Sequence, residues 1–166
     1  MPERNVKFQY FGAVRQEKIK NRWIGKGKLD VNAWMHKLDT KRLLNTTIDL
    51  GDTKASVDKI QWDEEHDIWV FRFMKLREDN IPSIVKENQE AEAIPLGEDE
   101  YIGEGLHMLY DNNTGIAMVQ VNRFSLSLKR LGDFLTKVWE IENERIALRA
   151  IIDELGFDGS IRRKFK

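Results

Sequence analysis

The chain predicts an α+β domain: a mostly antiparallel sheet of about five to seven strands, with two main helices over about residues 31–44 and 127–141. Three stretches carry that expectation. Residues 101–139 read as a β-hairpin running into a helix. Residues 46–76 read as a β-meander. Residues 31–44 carry a helical apolar stripe behind a capping aspartate.

In the hairpin, the apolar runs Leu106–Tyr110 and Ile116–Val121 are split by Asp111-Asn112-Asn113-Thr114-Gly115, residue types that tolerate the left-handed conformations of tight turns. The second strand passes through Asn122-Arg123 to Ser127, which caps a helix with Leu128, Leu131, Phe134, Leu135 and Val138 on one face. Gly132 weakens that helix by about 1 kcal/mol relative to alanine, which points to close packing there.

Upstream, Val6–Val14 alternates as a first strand, with Val6, Phe8 and Tyr10 on one face. Arg15–Lys28 then holds six Lys or Arg against one Glu, interleaved with Trp23 and two glycines. Such a stretch suits either a nucleic-acid contact, through Lys18, Lys20, Arg22 and Trp23, or a solvated surface hairpin. Solvated hairpins are the commoner outcome. Asp30 caps the first helix, in which Val31, Trp34, Met35 and Leu38 form the stripe and His36 falls beside it.

In the meander, Ile68–Leu76 is apolar on both faces, so it is expected to be a central strand covered on both sides. Arg72 within it needs a carboxylate or carbonyl partner if it is buried. Asp63–Asp67 is metal-capable in composition but lacks the spacing of a calcium loop, and reads as a hairpin tip. Residues 80–104 read as a long, acidic, exposed loop, with Ala93–Leu96 as a short edge strand that can tolerate Pro95. Arg145–Asp153 reads as a strand, with a helix as the alternative. The last five residues, Arg162–Lys166, include four cations.

Composition bounds the function. Hydrophobic residues make up 41% and charged residues 33%, with 27 basic against 28 acidic side chains. A net charge of −1 argues against attraction of the whole protein to DNA or membrane, but allows a local patch. Absence of cysteine removes disulfides, thiol nucleophiles and Cys-ligated zinc. No signal peptide or membrane span is evident, so a cytoplasmic single domain without membrane contact is expected.

No phosphate-binding glycine loop, nucleophile elbow or paired-histidine metal motif occurs, so no catalytic residue and no cofactor are assigned. Two weaker constellations remain. Gln120, Asn122, Arg123 and Ser125 lie where a strand meets a helix N-terminus, a place that suits a phosphate or carboxylate. Glu104 and Asp111, with Gln120, could hold a magnesium ion.

Several segments together resemble a poorly characterised bacterial and phage family of unknown function. They are Leu76, Arg77 and Pro82; the Glu100-Tyr101-Ile102-Gly103-Glu104 box; Leu109-Tyr110-Asp111; and Gln120, Asn122 and Arg123 ahead of Ser127. The resemblance runs from about Val6 to Phe165. It implies association with mobile elements and phage conflict, and no established catalytic residues. Members of that family look longer, which makes this chain a candidate amino-terminal part of a longer architecture.

The expected function is therefore a non-enzymatic binding module in phage–host conflict, recognising nucleic acid or a partner protein, with homo-oligomerisation left open. The alternative is a magnesium-dependent phosphodiesterase using Glu104, Asp111 and Gln120.

Overall fold

The computed structural model describes residues 6–151. In chain order the elements are β1 (Lys7–Ile19), β2 (Arg22–Lys28), α1 (Val31–Thr40), β3 (Ile48–Asp49), β4 (Lys54–Asp63), β5 (Ile68–Arg77), β6 (Ser83–Ile84), β7 (Glu92–Ala93), β8 (Ile102–Asp111), β9 (Ile116–Val121), α2 (Leu128–Trp139) and β10 (Glu144–Ala150). Seven strands of six residues or more, with the two-residue β3, form one sheet in the order β10-β1-β9-β8-β5-β4-β3, and β2 also pairs with β1. Every pairing is antiparallel. The fold is the expected α+β class with two helices.

β1 is the strand around which the sheet is assembled. Along one edge it pairs with β10 over Phe11–Glu17. Along the other it pairs with β9 over Lys7–Gly12 and then with β2 over Val14–Ile19. The basic stretch thus forms a hairpin of the end of β1 with β2. Its turn is Lys20-Asn21, both with positive φ (45° and 63°), as a tight two-residue connection requires.

Both helices cover the same face of the sheet. Trp34 of α1 meets Phe71 edge-on at 5.8 Å, and Phe134 of α2 meets Phe73 edge-on at 5.4 Å. Tyr110 is buried in the same core and donates its hydroxyl to the Leu29 carbonyl at 2.7 Å. Burial pushes its phenol up to about 12. Because both helices lie on one side, β5 is central but not covered on both faces as expected. Phe71 and Phe73 are buried, while Val70, Arg72 and Met74 on the opposite side are only half-buried. Arg72 finds its carboxylate across the strand pair: Asp58 accepts from Nε at 2.9 Å and from Nη2 at 2.6 Å. Asp58 stands where the β4–β5 register shifts between Val57 and Lys59.

The helix boundaries are set by their caps. Asp30 accepts from Ala33 N–H, and Ser127 accepts from Arg130 N–H. α1 stops at Thr40 rather than Leu44. There Arg42 turns left-handed (φ 54°), its N–H bonds Asp39, and Leu43 N–H reaches back to Leu38 while its side chain packs on the core. α2 likewise ends at Trp139, where Glu140 adopts φ 45°. A β-carbon on Gly132 would sit 3.2 Å from the Ile146 carbonyl, so the absence of a side chain there lets α2 lie close to β10. Thr136 Oγ1 seals that contact by accepting from Ile146 N–H at 2.9 Å.

The remaining departures are local. β10 settles residues 144–150 as a strand. In the acidic connection the paired strand is Glu92–Ala93, bonded to Ser83–Ile84, rather than Ala93–Leu96. The β8–β9 turn is held by Asp111, whose carboxylate accepts from Asn113 N–H, Thr114 N–H and the Thr114 hydroxyl.

Candidate nucleic-acid interface

Because side chains alternate along a strand, the registers assign each residue to the helix-covered or the open face of the sheet. On β1 the inner series includes Phe11 and Ala13, which are buried. The outer series is Phe8, Tyr10, Gly12, Val14, Gln16 and Lys18. Tyr10 is 60% exposed and Phe8 36%. No helix among the described residues covers either ring.

Cross-strand partners extend this outer row. Phe8 stands opposite Gln120 and Tyr10 opposite Met118 on β9. Gly12 stands opposite Arg149, and Gln16 opposite Arg145, on β10. Lys18 stands opposite Trp23 on β2. Arg145 lies 4.3 Å above the Trp23 ring and donates Nε to Gln16 Oε1 at 2.8 Å, which closes over Gln16 and leaves it 1% exposed. Trp23 therefore serves as the platform for an arginine, and the base contact expected of it is not what its Arg145-covered face offers.

The charges on this row are of one sign. Arg145 and Arg149 face outward from β10, Lys18 from β1 and Lys28 from β2, and no carboxylate faces outward from β1, β2, β9 or β10. The neighbouring acids lie on the other side: Glu144 accepts from Trp139 Nε1 at 2.8 Å and pairs with Lys26 at 2.6 Å, and Glu17 lies 3.6 Å from Lys26. Those contacts hold the Glu144 carboxyl below its ordinary value, the Lys26 hydrogen bond first among them. In a chain with a net charge of −1 this separation is local and steep.

The basic stretch divides accordingly. Arg15 donates to the Lys28 carbonyl and stands over the Trp139 ring, Lys26 is paired as above, and Lys28 Nζ donates to the carbonyls of Asn112 and Asn113. Lys18, Lys20 and Arg22 stay exposed at the hairpin tip. The four cations of Arg162–Lys166, along with Ile161 and Phe165, lie outside the described residues.

The strand-to-helix group separates into two jobs. Asn122 Oδ1 accepts from Phe124 N–H at 3.1 Å, and the Ser125 hydroxyl donates to the Asn122 carbonyl at 3.0 Å, so both serve the loop's own backbone. Arg123 stands 6.0 Å from the exposed Phe124 ring. Gln120 instead faces outward with β9. Its Oε1 accepts from the His107 backbone N–H at 3.1 Å and lies 3.0 Å from His107 Nδ1. The backbone donor identifies this atom as oxygen, so Nδ1 carries a proton. The Gln120 amide group and His107 Nε2 are then left to face solvent.

The metal constellation does not converge. Glu104 and Asp111 lie seven residues apart on β8, on opposite faces and about 23 Å apart along the strand. Glu104 bonds Arg77 at 3.0 Å, and Asp111 is committed to its turn, whose Thr114 hydroxyl holds its carboxyl below the usual range. Among the described residues no group of three or more His, Asp or Glu side chains is placed to hold a metal ion. No helix among them is long and apolar enough to cross a membrane.

No curated protein and no solved structure matches this chain. One family model does, over residues 1–164, and the chain therefore belongs to the family described as a family of unknown function (DUF6731).

Proposed function

We propose that this protein is a non-enzymatic binding module that recognises nucleic acid through the open face of its sheet around β1. The observation that carries the reading is the separation of charge. The outer sides of β10, β1, β2 and β9 present arginine, lysine and aromatic side chains without a carboxylate, which is the local chemistry that attracts a phosphate backbone. The setting we propose is phage–host conflict in the cytoplasm, supported by the resemblance carried by the Glu100–Glu104 and Gln120–Arg123 segments.

The test is fluorescence anisotropy with labelled DNA and RNA oligonucleotides over a salt series. Affinity should fall as salt rises, and Lys18→Glu and Arg149→Glu should each reduce the slope of log affinity against log salt by roughly 1. Absence of binding to any oligonucleotide at low salt, with the protein folded by circular dichroism, would sink the reading.

One observation favours a partner protein instead. Beyond β1 the same face continues through Met118, Leu109 and Val70, apolar and half-buried with no helix over them among the described residues. Under that reading a polar substitution at Leu109 would abolish complex formation and leave nucleic-acid binding untouched.

A further inference from the structure

The outer row of β1 carries two exposed aromatic rings, Phe8 and Tyr10, the kind of surface on which single-stranded and duplex nucleic acid differ. Phe8 and Tyr10 are two residues apart on one strand, so their rings are about 7 Å apart and project from the same side. A base pair inside a duplex hides its faces in the stack and cannot lie on such a ring. An unpaired base can. Beside Tyr10 the next outward position is Gly12, where a β-carbon would meet nothing closer than 3.9 Å. That leaves a strip of bare backbone at the end of the aromatic pair. Arg149 stands directly opposite Gly12, within reach of a phosphate that follows a base on Tyr10.

Hydrogen-bonding groups flank the rings on the other side. Gln120, opposite Phe8, has its oxygen occupied by His107 and so offers an amide donor, while His107 Nε2 offers an acceptor. A donor and an acceptor next to a stacking ring are what an exposed base edge requires. The row ends at Lys18, and β1 as a whole is about 40 Å long, enough for a strand of several nucleotides.

Resting on the nucleic-acid reading above, we propose that the ligand is single-stranded nucleic acid running along β1. Tyr10 and Phe8 stack successive bases, Gln120 and His107 contact a base edge, and Arg149 and Lys18 hold the phosphates.

The experiment compares labelled single-stranded 12-mers of DNA and RNA with the same sequences annealed into duplex. The single strands should bind at least about tenfold tighter. Tyr10→Ala and Phe8→Ala should each weaken single-strand binding roughly five- to a hundredfold, the loss expected for one base stack, and Tyr10→Phe should retain most of it. Both positions are exposed, and unchanged urea midpoints will show that the variants are folded. Equal binding of duplex and single strand, unaffected by Tyr10→Ala but weakened by Arg149→Glu, would overturn this proposal while leaving the broader nucleic-acid reading intact. Loss of all binding to both forms in the wild-type protein would overturn both. So would a protein ligand that the wild-type chain binds and Tyr10→Ala loses, where the wild-type chain has no affinity for oligonucleotides.

Discussion

On β5, Phe71 and Phe73 point toward the helices and are closed off by Trp34 and Phe134. On β1, Phe8 and Tyr10 point the other way and meet neither helix of the described residues. Both pairs are aromatic residues at alternate positions of a strand in the same sheet, so composition and local pattern do not separate them. What separates them is the side of the sheet on which they fall, and with it the kind of cost that substitution brings. Inward rings bear the fold. Outward rings are free to bear a ligand.

That contrast can be broken by measurement. Phe73→Ala should cost about 3–5 kcal/mol in urea denaturation, because the ring is fully buried between Phe71 and Phe134. Tyr110→Phe should cost roughly 1 kcal/mol at neutral pH by leaving the Leu29 carbonyl without its donor. It also has a pH signature. The Tyr110 phenol titrates near its ordinary value of 10.0 when unfolded but at about 12 when folded, so its contribution is whole below 10 and is lost as pH rises toward 12. The Phe variant should lack that part of the alkaline decline. On the outer face, Arg72→Ala should shift the urea midpoint far less than Phe73→Ala does, since the Asp58 pair is partly solvated. Tyr10→Ala should lie within about 0.5 kcal/mol of the parent. A large loss for Tyr10→Ala would mean that this ring is structural and would remove the distinction between the two faces.

Much of the fold was legible locally. The Asp30 and Ser127 caps, the Asp111–Gly115 turn and the alternation of Ile68–Leu76 are all signals contained within a few residues. The termination of α1 was not, because it depends on Arg42 adopting a left-handed conformation without a glycine to announce it. Nor was the exposure of one face of β5, since strand alternation shows that two faces exist and not which of them the helices will choose. The candidate site was the least legible part. Lys18, Trp23 and Gln120 were singled out by residue type, but their neighbours Arg145 and Arg149 reach them only through the β1–β10 register. Phe8 and Tyr10 read as ordinary strand alternation. Their exposure follows from both helices packing on the opposite face, which no local pattern around Phe8 and Tyr10 announces.

The β1–β10 register also has a consequence in time. Gln16 pairs with Arg145 across 129 positions, so β1 leaves the ribosome well before its partner β10. At typical elongation rates that interval is on the order of ten seconds. During it, one edge of β1 is open along its length and the other is closed by β2 only over Val14–Ile19, because β9 and β10 are still to be made. Long-range closure of this kind slows folding and leaves strand edges open to wrong partners. Lys18, Lys20 and Arg22, exposed at the tip of the β1–β2 hairpin, are charges of the kind that disfavour pairing of an open strand edge with another copy.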